Sequence, residues 1–573
     1  MAGGAKKPVN IFKLDSSGDP KEVFNWRLWF AVLSFGLLGA ARGVDEGLIS
    51  GAFNSRNFQQ SIRYDSYTKV EQANIKANVS AMVQIGSVGG ALIAFLICDR
   101  IGRIWATRLL CLLWFVGIVL FMASSGHLGV IYAGRFIAGL GIGQTPVVGP
   151  VYIAEIAPAS IRGLCTCIFT GFVYLGIVLA FFTNYGCQIN MGDEVMARWL
   201  VPTSLHLMFA VLIIVLTFFQ CESPRYLIMQ GDQEKAFNTM ARLRKLPTRH
   251  PYVVSEIDRA VAAHREEKEA SSSKTPGWLG IFQEAFGSPS NLYRVSLAIG
   301  AQIFSQWSGA GSITLYAPDL FNLLGISDTN TGLLVTAVFG IVKLVAALVC
   351  ALFLVDVVGR KRSLLLGIAC QAVAMLYVAS FLTAVPRLGD TNGSNNNNNN
   401  NNNSGQQQLP QQELTSPSQL SASRGAVAMI YLSGFGWALG WNSMQYLLTA
   451  ELFPLRIRAF CTSLAMTFHF ANQYGNTRAV PNMLLHPGSG GGGGGISPQG
   501  TFWFFAAVTV LGGAWVWFFV PETAGRGLES MDRLFELPWW KIGRYGNGEA
   551  ERRDRGESVV QDGVDKGTET AVV

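Results

Sequence analysis

The sequence predicts an all-α polytopic membrane protein with twelve transmembrane helices in two pseudo-symmetric bundles of six. Half of its 573 residues are hydrophobic and only 14% are charged, whereas a soluble protein carries about 25% charged residues. Twelve apolar stretches are long enough to cross a bilayer as helices. Charged motifs that follow these stretches in the first half of the chain recur in the same order in the second half.

Each apolar stretch runs for about 20 residues, the length that a helix needs to cross a hydrocarbon core of about 30 Å. Because lipid offers no hydrogen-bond partners, such a stretch satisfies its backbone groups by forming a helix. The twelve stretches are 28–50, 77–98, 105–124, 128–153, 164–184, 199–220, 295–322, 332–355, 363–384, 425–449, 459–485 and 501–520.

Three charged motifs occur once in each half, which indicates a duplicated six-helix unit. The first has the form Asp-x-x-Gly-Arg, the second contains Ala-Glu and a proline followed by an arginine, and the third places a glutamate beside or near a proline at the end of the half. In chain order they are Asp99–Arg103, Ala154–Pro158 with Arg162, Glu222–Arg225, Asp356–Arg360, Ala450–Pro454 with Arg458, and Pro521–Arg526.

The spans divide the chain into a leading segment, two bundles, a connection and a tail. Lys and Arg lie in the loops after the second, fourth, eighth and tenth stretches, which places these loops and both termini in the cytoplasm. Low-complexity insertions fall on the other side of the membrane, at 384–424 and 486–498. The predicted segments are 1–25, 26–221 (the first half), 222–292 (the linker, with short helices), 293–522 (the second half) and 523–573.

The asparagine-rich insertion contains two triplets of the glycosylation type, which begin at Asn392 and Asn402. Such triplets also arise by chance in a run of asparagines. Both interpretations therefore stay open.

The composition argues against several other classes of protein. The nine cysteines are scattered, mostly inside predicted helices, which is typical of buried small apolar residues rather than of disulfides or metal sites. The net charge of +7 is accounted for by the cytoplasmic loops and requires no nucleic-acid partner. With no catalytic triad, metal-ligand spacing or nucleotide-binding loop in view, the sequence indicates neither an enzyme nor a cofactor.

The paired motifs, together with Gly134-Arg135-Phe136 and the Pro521–Arg526 segment, resemble the sugar porter family of the major facilitator superfamily. The resemblance covers about residues 25–535. It implies two six-helix bundles that rock about a central site. The asparagine-rich insertion and the segment 306–312 are similar to fungal members, in particular to the quinate-permease-like and sugar-acid branches.

The resemblance implies that the charged motifs form a cytoplasmic gate whose ion pairs break when that side opens. Gly102 and Gly359 are expected to adopt positive φ in the short loops. For the arginines, the alternative is positive-inside topology with solvated charge. The gate residues are Asp99, Arg103, Glu155, Arg162, Glu222 and Arg225 in the first half and Asp356, Arg360, Glu451, Arg458 and Glu522 in the second.

Asp45 in the first stretch and Arg135 in the fourth are ionisable residues at membrane depth, where charge is costly and usually functional. The resemblance matches them to the proton-carrying aspartate of the family's symporters and its arginine partner. A buried carboxylate can be protonated when its counter-charge is away and ionised when the arginine approaches. The alternative is a fixed structural ion pair, as in a facilitator.

Lys343 in the eighth stretch and His469 and Arg478 in the eleventh are basic, and no acidic residue in the same stretches balances them. They suggest an anionic substrate, with Lys343 as the best partner for a carboxylate. The alternatives are a lysine bonded to carbonyls, a core histidine and an interfacial arginine.

The resemblance also implies a substrate pocket formed by the fifth, seventh and tenth stretches. Several amide side chains that serve neutral hexoses in the family are replaced, whereas Trp441 remains available to pack against a ring. With Lys343 and His469 included, the predicted pocket residues are Thr170, Ser305, Gln306, Gly311, Lys343, Trp441, Asn442 and His469.

These observations predict a plasma-membrane transporter, a monomer that moves a sugar acid or quinate-like carboxylate together with protons by alternating access. Its partners are a small solute, protons and the lipid bilayer. A neutral monosaccharide or polyol carrier is the first alternative. A non-transporting nutrient sensor is the second, but such sensors carry a long cytoplasmic tail that this chain lacks.

Overall fold

The computed structural model describes residues 20–53, 55–158, 161–272, 278–326, 328–350, 359–385, 417–442, 452–485, 495–523, 534–535, 537–540 and 542–543. Over these residues the secondary structure is helical, and they form no strand. A helix bonds its own backbone internally, which suits apolar segments in lipid. The predicted insertions around Asn392 and Asn402 lie outside the described residues.

The first half contains six membrane-spanning segments in the order that the sequence predicts. The fourth is divided after Ile142, where a two-residue turn, Gly143 and Gln144, precedes the next helix. A short helix α2 (Arg56–Ser61) lies between the first two spans. The spans are α1 (Trp26–Phe53), α3 (Lys69–Ile101), α4 (Arg103–Met122), α5 with α6 (Leu128–Ile142 and Thr145–Ile156), α7 (Arg162–Asn190) and α8 (Ala197–Thr217).

The second half repeats this order with two irregular spans. The seventh is broken into three helices at Gly309 and Tyr316, and the tenth ends in a π-helical turn over Ala438–Asn442. The spans are α13 to α15 (Pro289–Trp307, Ala310–Leu315 and Ala317–Leu323), α16 (Thr329–Val349), α17 (Arg360–Ala384), α18 (Pro417–Trp437), α19 (Leu455–Met483) and α20 (Ser497–Phe519).

By length and apolar composition alone, nine of the described helical segments could cross a membrane. The remaining three predicted spans are the seventh, tenth and eleventh. The seventh is interrupted, and α18 and α19 carry many polar residues. Polar residues in these helices are expected where a protein lines a central site instead of lipid.

Four helices of the linker pack on the same face of the molecule, which we call the linker face. Arg244 in α10 bonds both carboxylate oxygens of Glu256 in α11 at 2.8 and 3.0 Å, and its Nη1 donates to the carbonyl of Ile156 at the end of α6. These two linker helices are therefore fixed to the first half, whereas α12 packs against α13 and α19 of the second half. Its helices are α9 (Pro224–Met229), α10 (Gln233–Arg244), α11 (Pro251–Ser272) and α12 (Trp278–Gly287).

Close helix packing holds each half together, and two helix pairs join the halves. Within the first half α1 lies against α7 so tightly that a Cβ on Gly43 would come 1.9 Å from the carbonyl oxygen of Val173. Small residues permit such approach between helices in membranes. Between the halves, α3 lies along α19 and α7 lies along α16, so the central site is formed at these seams.

The duplication is visible in one repeated arrangement at the linker face. Glu222 accepts hydrogen bonds from the backbone N–H groups of Arg103 and Ile104 at 3.0 and 3.2 Å, at the start of α4. Glu522 accepts from those of Arg360 and Lys361 at 2.8 and 3.2 Å, at the start of α17. A carboxylate stabilises a helix N-terminus because it satisfies unpaired donors and opposes the helix dipole.

The glycine before each of these helix starts has positive φ, 88° at Gly102 and 98° at Gly359, which confirms the expectation from the sequence. A Cβ at these positions would also lie 2.6 and 2.7 Å from the carboxylate oxygens of Glu222 and Glu522. Each of these glycines is therefore required for two reasons. It permits the positive φ, and it leaves space for the capping carboxylate.

We predict that Glu222→Gln and Glu522→Gln each lower the stability of the folded protein by about 1 kcal/mol, because the charge-assisted cap becomes a neutral one. The measurement is the midpoint of heat-induced unfolding in detergent. The exposed Asp258, inside α11 and away from its ends, offers a control, since Asp258→Asn should leave the midpoint unchanged. Equal behaviour of all three variants would contradict the capping role.

Candidate functional site

A cavity lies between the two halves at the centre of the molecule. Its volume of about 20 Å³ has room for about one water molecule. Helices α1 and α7 of the first half and α13, α14, α16, α18 with its π turn, and α19 of the second contribute to its wall. The lining residues are Arg42, Glu46, Val173, Tyr174, Ile177, Gln306, Gly311, Thr314, Lys343, Trp437, Asn442, His469 and Gln473.

Arg42 is a buried cation that connects the two halves through this cavity. Its Nε lies 3.2 Å from Oε1 of Glu46, one turn further along α1. Its Nη2 lies 2.8 Å from Nε2 of His469 on α19. The spacing of four residues places Arg42 and Glu46 on one face of the helix, and this face looks into the cavity.

His469 is held in one neutral form by its neighbours. A guanidinium group only donates hydrogen bonds, so Nε2 of His469 must accept from Arg42. The proton then sits on Nδ1, which lies 2.9 Å from the acceptor Oε1 of Gln302. The amide nitrogen of Gln306 is also close to Nδ1, at 3.2 Å.

Lys343 is the second buried cation of the cavity, with a side chain that is 2% exposed. Its Nζ donates to Oγ1 of Thr314 at 2.5 Å. The ammonium group also lies 5.3 Å from the ring centre of Tyr174 and 5.2 Å from that of Phe339. These contacts hold the charge at the depth of the cavity, where it cannot reach a membrane surface.

Five of the predicted pocket residues line the cavity and three do not. Gln306, Gly311, Lys343, Asn442 and His469 are at the wall. Thr170 is buried elsewhere in α7. Ser305 is buried too, and its hydroxyl donates to the carbonyl of Gln302.

Trp441 is the third, and the structure corrects its predicted role as the platform for a ring. Its side chain is buried, and a Cβ on Gly512 of α20 would lie 3.2 Å from its indole, so it packs within the second half. The indole at the cavity wall belongs to Trp437. The π turn widens the helix locally, so that Trp437 and Asn442, five residues apart, face the cavity together.

Sequence reasoning missed Arg42 and Glu46 although both lie in the first predicted span. Their signal was available, because two opposite charges four residues apart in an apolar stretch form a helical ion pair. The sequence predicted that no acidic group balances the basic residues Lys343, His469 and Arg478, and the structure modifies this prediction. Glu46 is an acidic group on the wall of the cavity that Lys343 also lines.

Asp45 and Arg135 form the predicted ion pair, with Oδ1 of Asp45 2.7 Å from Nη1 of Arg135. Nε2 of His206, on α8, lies 3.4 Å from the same oxygen, and this residue was missed. Asp45, Arg135 and His206 are each buried inside the first half, and none of them lines the central cavity. Asp45 is linked to the cavity through its neighbour in α1, Glu46.

In the first half, the gate residues pair within that half rather than across the bundles. Nη2 of Arg103 lies 3.0 Å from Asp99 and 2.8 Å from Glu155, and Glu222 caps α4. Arg162 and Arg225 form no ion pair with the other described residues. These contacts make the first half a rigid unit at its linker face.

The gate residues of the second half are described only in part. Glu522 caps α17 through the backbone of Arg360, and Arg458 donates to the carbonyl of Phe453 at 3.0 and 3.2 Å. Asp356 and Glu451 lie outside the described residues. Their predicted pairing in a gate stays a prediction.

The halves also meet at the face opposite the linker. Nζ of Lys76 on α3 lies 2.8 Å from both carboxylate oxygens of Asp319 on α15. Nη2 of Arg478 donates to Asn74 at 3.0 Å, which gives this predicted basic residue a structural partner. Burial, followed by the charge of Asp319, raises the pKa of the Tyr64 hydroxyl.

The halves are also in contact between the cavity and the linker face. The hydroxyl of Ser463 on α19 donates to the carbonyl of Ala91 on α3 at 2.6 Å. The rings of Phe95 and Phe460 meet edge to face at 5.7 Å. With the halves in contact on both sides, the cavity is occluded in this conformation.

The model of the family described as "Sugar (and other) transporter" matches residues 31–535. The chain belongs to this family. The match spans most of the chain and includes both halves and the linker. The family prediction made from the paired motifs is therefore confirmed, and the chain is a multi-pass membrane transporter.

Two relatives are similar over nearly their whole lengths. The quinate permease of Emericella nidulans is 29% identical over 548 residues, which cover 94% of this chain and 95% of that protein. A probable quinate permease of Aspergillus niger is 29% identical over 526 residues, 91% of this chain and 90% of that protein.

Among solved structures, the proton:xylose symporter XylE bound to 6-bromo-6-deoxy-D-glucose is similar to this chain, with a TM-score of 0.69 and 22% identity. The match covers 89% of this chain and 99% of that chain. The xylose transporter XylE from E. coli in a partially occluded inward-open conformation gives a TM-score of 0.66 at 20% identity, covering 88% of this chain and 100% of that chain. The likeness confirms the predicted fold class, all-α with twelve transmembrane helices in two six-helix bundles.

We predict that Lys76→Asp opens the face opposite the linker more often, because it replaces an attraction across the halves by repulsion from Asp319. The measurement is the rate at which a cysteine introduced by Gly311→Cys at the cavity wall reacts with a membrane-impermeant maleimide. Reaction should be several-fold faster with Lys76→Asp and return towards the original rate with Asp319→Lys added. The protein that lacks Gly311→Cys gives the background reaction of the native cysteines. An unchanged rate with Lys76→Asp would contradict the closing role of the Lys76–Asp319 pair.

Proposed function

We propose that this protein is a proton-coupled symporter of a cyclic polyhydroxylated carboxylate of the quinate type. The observation that carries the proposal is the composition of the cavity wall, where two buried cations accompany hydroxyl-binding groups. The proposed location is the plasma membrane. The linker face and both termini lie in the cytoplasm, as the placement of Lys and Arg indicates.

The charges of the cavity favour an anionic substrate. Arg42 and Lys343 contribute two positive charges and Glu46 one negative charge, while His469 is neutral in the form described above. One positive charge is therefore in excess. A buried charge without a counter-charge is costly, and a substrate carboxylate would remove this excess on binding.

The remaining polar groups suit a polyhydroxylated ring. Gln306, Gln473 and Asn442 carry amides that can both donate and accept, and Thr314 adds a hydroxyl. The indole of Trp437 offers an apolar surface for the C–H face of the ring. The cavity is smaller than such a solute, so binding requires the cavity to widen from its size here.

The names of the relatives support this class of substrate. Two fungal proteins that are similar along nearly their whole lengths are named quinate permease and probable quinate permease. Quinate is a carboxylate on a polyhydroxylated ring, which is the combination that the cavity favours.

Proton coupling is proposed to reside in Asp45, Arg135 and His206. The carboxylate is buried with one guanidinium partner, so protonation and the loss of this partner are linked. Because Asp45 and Glu46 are adjacent in α1, a movement of α1 that admits substrate at Glu46 also displaces Asp45 from Arg135. A solved structure of the same fold is titled a proton:xylose symporter.

A neutral sugar or polyol carrier remains the second candidate, favoured by one observation. Glu46 already pairs with Arg42 at 3.2 Å, so part of the positive charge of the cavity is balanced without a substrate anion. Competition for uptake between a labelled neutral polyol and quinate, measured in a transport-deficient host, discriminates the two candidates.

We predict that Lys343→Ala strongly lowers uptake of quinate at low concentration while the protein still reaches the membrane. Loss of one charge-assisted hydrogen bond should weaken quinate binding about 10- to 100-fold, since such a bond is worth about 1.5–3 kcal/mol. Uptake of radiolabelled quinate in cells is the measurement. Lys343→Arg is the matched control that retains charge. Undiminished uptake by Lys343→Ala would remove the anion argument.

We predict that Asp45→Asn strongly lowers accumulation of substrate driven by a pH gradient but spares exchange of labelled for unlabelled substrate. The amide cannot take up a proton, so the gradient no longer acts at this site, whereas the central cavity is unaltered. Proteoliposomes with an imposed pH gradient allow both measurements. Asp65→Asn, in the exposed turn after α2, serves as the control. Normal accumulation by Asp45→Asn would exclude its coupling role.

A further inference from the structure

The contact between Arg42 and His469 joins the halves only while the histidine is neutral. Nε2 of His469 accepts from Nη2 of Arg42 at 2.8 Å, and Nδ1 carries the proton that Gln302 accepts. A proton added to Nε2 would turn the acceptor into a donor. Two donors and two positive charges would then face each other, and the contact would break.

The groups around His469 decide when it can take up a proton. Positive charge nearby opposes protonation, and a negative charge brought close favours it. In the structure, the amide groups of Gln302 and Gln306 face His469 from α13. The titratable and charged groups of the cavity are Arg42 and Glu46 on α1, Tyr174 on α7 and Lys343 on α16.

A substrate carboxylate would reverse this balance at the point where Arg42 and His469 meet. A carboxylate accepts hydrogen bonds from several donors at once, so it can accept from the guanidinium group and from a protonated Nε2 together. The anion then supplies the nearby negative charge that favours protonation of His469.

We propose that His469 is a second proton site, which takes up a proton when a substrate carboxylate binds Arg42. The inference rests on the proposed function in one respect, that the substrate is a carboxylate. Proton and substrate binding are then reciprocally linked. A symporter built this way loads one proton in the second half with the solute itself, in addition to the proton carried by Asp45 in the first half.

His469 and Asp45 are separate sites in the structure. Asp45 is paired with Arg135 inside the first half and does not line the cavity. His469 belongs to the second half and forms the cavity wall. A protein whose Asp45 cannot be protonated therefore isolates the site at His469.

The test is calorimetric titration of the full-length Asp45→Asn protein with quinate in several buffers of different ionisation enthalpy, which gives the number of protons taken up per ligand bound. Uptake approaching one proton is expected for quinate and near zero for its neutral methyl ester. Quinate affinity should fall by up to tenfold for each pH unit above neutrality. If quinate binds with neither proton uptake nor a fall of affinity with pH, the proposal is overturned. This result requires no substitution of His469.

A further variant on the Asp45→Asn protein assigns the proton. With His469→Gln, whose amide can still accept from Arg42, proton uptake should fall to near zero while the ester still binds. Persistence of proton uptake with His469→Gln overturns the proposal. His469→Asn replaces His469→Gln if the ester fails to bind, and His127→Gln is the control at an exposed histidine.

The failure of the proposed function has a different signature. If the protein binds the methyl ester but not quinate, the substrate is not a carboxylate, and the inference falls with the proposal on which it rests. If quinate binds without taking up a proton, the proposed substrate stands and only the role of His469 is overturned.

Discussion

Helix α1 carries two adjacent carboxylates into the interior of the molecule, and the need to give each one a partner organises its centre. Successive side chains point about 100° apart around a helix. Asp45 therefore faces the interior of the first half, where Arg135 receives it, whereas Glu46 faces the cavity and pairs with Arg42. Since an unpaired buried charge is costly, α1 cannot rotate or tilt without disturbing both pairs.

The contacts of the described motif residues at the linker face lie within their own halves. Glu222 and Glu522 bond the first backbone N–H groups of α4 and α17 in the same way, and Arg103 gathers Asp99 and Glu155 within the first half. Their duplication in sequence thus corresponds to duplication of a structural contact. Rigid halves that meet through few ionic contacts fit the proposed rocking mechanism.

The sequence was sufficient for the fold, because length, apolar composition and repeated motifs each depend on many residues. It also indicated Asp45 with Arg135, Lys343 and His469, since charge at membrane depth is rare and conspicuous. Trp441 was misplaced because a π turn changes which residues share a face, and hydropathy does not report such a turn. His206 was missed because its contact with Asp45 joins helices far apart in the chain.

The occluded state places the surplus positive charge of the cavity out of contact with water, and this has a consequence for the proposed mechanism. In a low-dielectric interior an uncompensated cation is destabilised far more than in solution. Without substrate, opening either face lets water solvate Arg42 and Lys343, so the empty protein should prefer open states. A bound carboxylate compensates the charge and makes closure favourable. Occupancy and conformation are thereby linked by the charge of the solute itself, because a ligand shifts a conformational equilibrium by its difference in affinity for the two states.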